Sequence, residues 1–97
     1  MTVVRLYAGL REAAGQRDFD VDLPAGALIG ELLKRLMALR PKLAGKVLDE
    51  NGSVPRYVAV FVNGRDIRHL NGLQTPIEPG DEIAIFPPVA GGQSVNG

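Results

Sequence analysis

The chain of 97 residues carries eleven basic and eleven acidic side chains, and 45% of its residues are apolar. This length suits one domain with a single core, and the balanced charge gives no broad positive field for nucleic acid or a membrane. The sequence has no cysteine and one histidine, which excludes disulfides, a thiol nucleophile and a cysteine-based zinc site. Without a membrane-length apolar run or a signal-peptide pattern, we expect a cytoplasmic protein with no metal site.

The first half of the chain predicts two strands and one amphipathic helix. Residues 3–8 are apolar apart from one arginine and favour a strand, and the following LREAAGQ, residues 10–16, is interpreted as a polar connection. Residues 18–23 alternate aspartates with apolar side chains, which predicts a second strand with one face in water. Apolar residues at helical spacing predict a helix over residues 28–39, stopped by Pro41, although no usual N-cap residue precedes it.

The second half predicts three more strands. YVAVFV, residues 57–62, reads as a strand, and the Asn-Gly pair at 63–64 is a strong hairpin signal before a short strand at 66–68. A Pro-Gly-Asp turn at 79–81 precedes a last strand over residues 82–86. A mixed sheet wrapped around one main helix buries the apolar stripe of that helix. The element order therefore predicts an α+β protein with the ubiquitin-like β-grasp fold.

Two of the predicted strands, residues 57–62 and 82–86, carry apolar side chains on both faces. One helix covers a single side of the sheet, so one set of these side chains must face outward. If the valines of the first strand and the isoleucines of the second face the helix, then Phe61, Ala84 and Phe86 face outward. An exposed apolar patch usually marks a docking site, so we predict that these three residues bind a partner. The alternative is that strand edges and loops cover them.

Three segments of the chain closely resemble the MoaD and ThiS family of sulfur-carrier proteins. They are RLYAGLREAAG, VFVNGRDIRHLNGL and EPGDEIAIFPPVAGG, and the resemblance runs from the first strand to Gly92. The last segment is the most specific, since its turn, apolar strand, proline pair and diglycine stand at the spacing of the family. The middle segment and VAGG also resemble CysO-type carriers of cysteine synthesis, and FPPVAGG is similar to the small subunit of molybdopterin synthase.

The resemblance implies a carrier that is a substrate of other enzymes and has no catalytic residue of its own. In the family, the terminal glycine carboxylate, here Gly92, is adenylated by a MoeB/ThiF-type adenylyltransferase related to ubiquitin-activating enzymes. That enzyme uses ATP, and the carrier itself binds no cofactor. The adenylate becomes a thiocarboxylate, which donates sulfur to an acceptor such as a cysteine-synthase-like enzyme or the large subunit of molybdopterin synthase. A chain without cysteine agrees with this chemistry, because the main chain holds the sulfur.

The resemblance divides the chain into a β-grasp domain, residues 1–86, and a tail, residues 87–97. The tail residues expected to thread into a partner are Pro87, Pro88, Val89, Ala90 and Gly91. Prolines favour extended geometry, and glycine lacks the Cβ that a narrow channel would exclude. The six residues from Pro87 to Gly92 span roughly 20 Å when extended, which is enough to enter an active site.

Five residues, QSVNG, follow the diglycine and depart from the usual ending of the family. A peptide bond joins Gly92 to Gln93, so Gly92 has no free carboxylate to adenylate. Some members of the family carry a short extension that a JAMM-type zinc metalloprotease removes, and we expect the same cleavage of residues 93–97 here. The alternatives are an artificial tail, a β-grasp module that binds partners without covalent chemistry, and the small subunit of molybdopterin synthase.

Overall fold

A computed structural model of the protein describes residues 2–87. Its strands are β1 (Thr2–Leu6), β2 (Asp18–Val21), β3 (Ala59–Val62), β4 (Arg65–Asp66) and β5 (Glu82–Phe86). Its α-helices are α1 (Ala8–Ala14) and α2 (Ile29–Leu39), and short 3-10 helices lie at Pro41–Leu43, Ile67–His69 and Gly72–Gln74. Within this part of the chain, no helix has both the length and the apolar character needed to cross a membrane.

The five strands form one mixed sheet in the order β2-β1-β5-β3-β4. The central strand β5 pairs parallel with β1 and antiparallel with β3. The outer pairs, β1 with β2 and β3 with β4, are antiparallel. A mixed sheet with one main helix is the α+β, β-grasp arrangement that the element order predicts.

The core lies between α2 and the inner face of the sheet. The apolar residues of α2 recur at helical spacing and form one buried stripe: Ile29, Leu32, Leu33 and Leu36. The strands supply the opposite wall, and these side chains are all buried: Val4, Leu6, Phe19, Val21, Val60, Val62, Ile83 and Ile85. The strand predicted over residues 57–62 begins at Ala59, and Val58, just before it, is buried as well. The valines and isoleucines of β3 and β5 therefore face the helix, which is the condition under which the docking residues were expected to face outward.

The prediction of a polar connection over residues 10–16 is wrong, because most of this segment belongs to α1. Leu10 and Ala14 lie one helical turn apart and are both buried against the core. Gly15 ends the helix with a φ of 84°, and its N–H donates to the Arg11 carbonyl at 2.9 Å. This left-handed geometry favours glycine, so Gly15 does punctuate the chain, but as a helix terminus.

The predicted fourth strand is also displaced, since β4 comprises Arg65–Asp66 and the chain then turns away from the sheet. The Asp66 carboxylate accepts a hydrogen bond from the Arg68 N–H at 2.9 Å, which caps the 3-10 helix at Ile67–His69. A side chain that caps the next turn in this way competes with continuation of the strand. The preceding hairpin turn is as predicted, because Asn63 and Gly64 have φ values of 50° and 84°.

The amino end of α2 shows how a helix begins without a serine, threonine, aspartate or asparagine cap. The Glu31 carboxylate accepts a hydrogen bond from the Leu28 N–H at 2.9 Å. The Ile29 N–H donates to the Thr75 carbonyl at 2.9 Å. Two N–H groups at this helix end therefore find partners within the first turn and in a neighbouring loop.

Gly30, in the first turn of α2, is a position where alanine should stabilise the protein. A Cβ there would lie 3.5 Å from the Leu73 carbonyl oxygen and 3.6 Å from the Leu73 Cβ, which are ordinary contact distances. Because glycine loses more backbone entropy on folding, we expect Gly30→Ala to raise the free energy of unfolding by about 0.5–1 kcal/mol. Urea unfolding measures this change. The control Gly15→Ala should lower the same quantity, because φ is 84° there, and equal effects of the two variants would contradict the expectation.

Candidate docking surface beside the last strand

Three aromatic rings meet on the outer face of the sheet at the end of β5, and we call Tyr7, Phe61 and Phe86 the aromatic cluster. Phe86 stacks on Tyr7, with ring centroids 4.3 Å apart and planes 7° from parallel. Phe61 meets Phe86 edge-on, at a centroid distance of 5.5 Å and an angle of 87°. Such contacts hold the rings in one arrangement, so the cluster forms a defined apolar surface.

Strand register explains why these rings meet. Phe61 in β3 lies opposite Ala84 in β5, and Phe86 follows two residues later on the same face. Tyr7 directly follows β1, which runs parallel to β5, and its N–H donates to the Ile85 carbonyl at 3.3 Å. The cluster therefore joins residues from both ends of the described chain to one from β3.

The structure places the three predicted docking residues together. Phe86 is 38% exposed, whereas Phe61 and Ala84 are half-buried beside it. Loops do not cover Phe86 in the described part of the chain, in contrast to the alternative considered above. Tyr7 was not among the predicted docking residues, because its place beside Phe86 depends on the parallel pairing of β1 with β5. The role of this surface in docking stays a prediction.

Charged side chains border the cluster on the side of β1 and β2. The Arg5 Nε lies 3.1 Å from Asp18, and the Arg5 Nη1 lies 3.8 Å from Glu82. The hydrogen bond and charge of Asp18 raise the pKa of Arg5, and hydrogen bonds from Arg17 and Arg5 lower the pKa of the Asp18 carboxyl. These groups are solvated, so the pairs contribute little to stability. The ion pairs with Asp18 and Glu82 hold Arg5 at the border of the aromatic cluster.

A metal centre is not apparent between residues 2 and 87, where no group of three or more histidine or acidic side chains is suited to hold an ion. The aspartates at positions 18, 20 and 22 are exposed, which agrees with the solvated strand face that their alternation predicts. Asp18 is engaged with arginines in the pairs described above.

The predicted tail begins beside the aromatic cluster. The described chain ends at Pro87, and the residues with predicted roles in threading, adenylation and processing lie outside it: Pro88, Val89, Ala90, Gly91, Gly92 and Gln93. Because β5 lies between β1 and β3, the chain leaves the sheet from its middle strand. A partner that covers the cluster would therefore stand where the predicted tail starts.

Residues 4–92 match the family model described as the ThiS family. Small archaeal modifier protein 3 of Haloferax volcanii is 39% identical over 89 residues, which are 92% of this chain and 96% of that protein. The sulfur carrier protein CysO of Mycobacterium tuberculosis is 31% identical over 93 residues, which are 94% of this chain and 91% of that protein. The similarity therefore extends over nearly the whole length of each relative.

Solved structures show the same fold. The crystal structure of SAMP1 from Haloferax volcanii has a TM-score of 0.84 and 34% identity, covering 94% of this chain and 98% of that chain. A chain in the crystal structure of the Amycolatopsis orientalis BexX/CysO complex has a TM-score of 0.81 and 26% identity, covering 95% of this chain and all of that chain. These relatives are small carriers and modifiers rather than enzymes. By sequence and by fold, this chain belongs to the ThiS family of ubiquitin-like sulfur carriers.

Proposed function

We propose that this chain carries sulfur as a thiocarboxylate on Gly92. The observation that carries the proposal is the extent of the family match, which ends at Gly92, the second residue of the diglycine. In this proposal, cleavage between Gly92 and Gln93 by a JAMM-type metalloprotease frees the Gly92 carboxylate. A MoeB/ThiF-type enzyme then adenylates the carboxylate with ATP.

The proposed chemistry replaces one carboxylate oxygen by sulfur. The Gly92 carboxylate attacks the α-phosphate of ATP, pyrophosphate leaves, and a sulfide-level nucleophile then displaces AMP from the acyl adenylate. The carrier supplies no side chain to either step, which agrees with the absence of cysteine. Gly91 and Gly92 lack a Cβ, so their backbone can approach the nucleotide closely.

We propose further that the aromatic cluster docks the activating enzyme. The cluster is apolar, ordered by ring contacts and adjacent to Pro87, the last described residue. With the enzyme held at this surface, the Pro87–Gly92 segment would be free to extend into the nucleotide site. When extended, it spans roughly 20 Å. A similar chain, CysO of Amycolatopsis orientalis, has been crystallised in a complex with BexX. This complex supports the proposal that a chain of this fold docks on a partner protein.

We propose two candidate sulfur acceptors, one from the relatives and one from the resemblance of the tail. CysO is a sulfur carrier of 31% identity, which favours a cysteine-synthase-like acceptor for this chain. The similarity of FPPVAGG to the small subunit of molybdopterin synthase favours the large subunit of that enzyme. Mixing the loaded carrier with each acceptor and its substrate distinguishes them. Only with the true acceptor should the thiocarboxylate sulfur form a bond to the substrate, and water then cleaves the C–S bond and returns Gly92 to a carboxylate.

Intact-mass spectrometry tests the proposal. A chain ending at Gly92, incubated with the activating enzyme, ATP and a sulfide source, should gain about 16 Da as one oxygen is exchanged for sulfur. The full chain should keep its mass, because its Gly92 carboxyl is in a peptide bond. A chain ending at Gly91 is the matched control for the length of the tail and should load poorly.

Two outcomes would contradict the proposal. A chain ending at Gly92 that takes up no sulfur from its cognate enzyme would favour the non-covalent β-grasp module. A full chain that gains sulfur would place the chemistry on another residue. Peptide mapping of the product assigns the position in the second case.

A further inference from the structure

A second surface lies on the side of β3 that faces away from β5. A pocket of about 360 Å³ opens there between β3, the loop at residues 53–56 and the 3-10 helices at Ile67–His69 and Gly72–Gln74. Its walls are largely apolar: Val54, Pro55, Val58, Val60, Ile67 and Leu73. A pocket of this volume is at the lower end for small ligands and accommodates one large apolar side chain.

The short strand β4 accounts for this pocket. The ladder between β3 and β4 holds two residue pairs, Phe61 with Asp66 and Val62 with Arg65. The chain then leaves the sheet at Ile67, so the earlier part of β3 is not flanked by β4. The pocket occupies this gap. None of its lining residues belongs to the aromatic cluster, so the pocket and the cluster are separate surfaces.

One of the two arginines that line the pocket is already paired. The Arg68 Nη2 lies 2.7 Å from the Asp66 Oδ2, and the Arg68 N–H donates to the Asp66 Oδ1 at 2.9 Å. The side-chain hydrogen bond and charge raise the pKa of Arg68 and lower that of Asp66. The Asp66 side chain is only 13% exposed. This pair therefore forms a nearly neutral part of the wall.

Arg56, the other arginine, has a different environment. It is exposed, and its guanidinium carbon lies 5.5 Å from the centre of the Tyr57 ring. Within residues 2–87 it makes no ion pair with a carboxylate. Since Arg68 and Asp66 offset each other, the residues that line the pocket carry one net positive charge, on Arg56. The Asp49 carboxylate lies just outside the lining, where it accepts a hydrogen bond from the Ser53 N–H at 3.0 Å.

We propose that this pocket binds an extended acidic segment of a partner protein. One aliphatic or aromatic side chain of the segment fills the apolar walls, and a neighbouring carboxylate pairs with Arg56. A guanidinium suits this task because its planar donors match a carboxylate. Residues 88–97 contain no aspartate or glutamate, so the tail of this chain offers no acidic side chain for Arg56. The inference goes beyond sulfur transfer and does not depend on it.

An NMR titration of the full chain tests this proposal. The probe is the capped peptide acetyl-Glu-Leu-Glu-Leu-Glu-amide, and its uncharged match is acetyl-Gln-Leu-Gln-Leu-Gln-amide. We expect saturable shifts of the Val54, Ile67 and Leu73 amides with the acidic peptide at millimolar concentration, and binding about tenfold weaker for the glutamine peptide.

Two variants test whether the acidic peptide binds through the positive charge at the pocket or through a positive charge elsewhere on the surface. Arg56→Gln should reduce the affinity for the acidic peptide to that for the glutamine peptide. Arg65→Gln is the matched control, because Arg65 is exposed in β4 and does not line the pocket. Equal losses in the two variants, equal affinity for the two peptides, shifts confined to the aromatic cluster or no binding of the acidic peptide would each overturn the proposal.

A chain ending at Pro87 tests whether the tail of this protein is the occupant. If its pocket amides differ from those of the full chain and bind the acidic peptide more tightly, residues 88–97 compete for the pocket and the assignment to a partner is overturned. Identical pocket spectra support the assignment. None of these outcomes bears on sulfur loading, because that reaction is read from the mass at Gly92.

Discussion

Replacing both Phe61 and Phe86 by aspartate, in a chain ending at Gly92, should almost abolish binding to the activating enzyme. Each new carboxylate would have to lose its water in an apolar interface. Residues central to an interface cost about 2 kcal/mol or more when removed, so we expect the affinity to fall on the order of 100-fold or more. Isothermal titration measures the affinity, and the rate of mass gain at Gly92 should fall with it.

The control for this loss is Leu39→Asp. Leu39 is 45% exposed and lies on α2, away from the aromatic cluster, so the same kind of charge there should leave the affinity unchanged. Circular dichroism and thermal unfolding show whether each variant is folded. A folded Phe61→Asp, Phe86→Asp variant that binds as tightly as the original chain would remove the cluster from the docking mechanism.

Leu32→Ala should lower the free energy of unfolding by about 2–5 kcal/mol, the usual range for a buried leucine. Leu32 is 0% exposed and lies in the stripe of α2 that packs on the sheet. Such a loss is a large part of the roughly 5–15 kcal/mol that stabilises a domain. Urea unfolding measures it.

The same helix supplies the control for Leu32→Ala. Leu39→Ala removes the same atoms from an exposed position, so the free energy of unfolding should change by no more than about 0.5 kcal/mol. Similar losses in the two variants would contradict the orientation of α2. The same result would also contradict the assignment of the aromatic cluster to the face of the sheet that lies away from α2.

The faces of the strands were predictable because side chains alternate along a strand. Once Val60 and Ile85 face the helix, Phe61 and Phe86 must face outward, and the structure has this arrangement. The hairpin at residues 63–64 was also predictable, since Asn-Gly favours the positive φ values that this turn requires. In each case the information is local in the chain.

The parts that were not predicted depend on packing or on very short patterns. Helix α1 has seven residues, which is too few for a clear helical period, and its helicity comes from burying Leu10 and Ala14. Tyr7 joins the aromatic cluster through the pairing of β1 with β5, strands from opposite ends of the described chain. The pocket beside Arg56 likewise depends on where β4 ends. No short stretch of sequence contains these relations.

The position of β5 between β1 and β3 also has a consequence for folding kinetics. Val4 pairs with Ile83 across almost the entire described chain, so this contact closes a long loop and contributes to a high contact order. Until β5 is in place, the β1–β2 and β3–β4 pairs are not joined into one sheet. Tyr7, Phe61 and Phe86 therefore come together only in a fully assembled domain. A nascent or partly unfolded chain lacks the aromatic cluster, and enzymes that require it would select folded molecules.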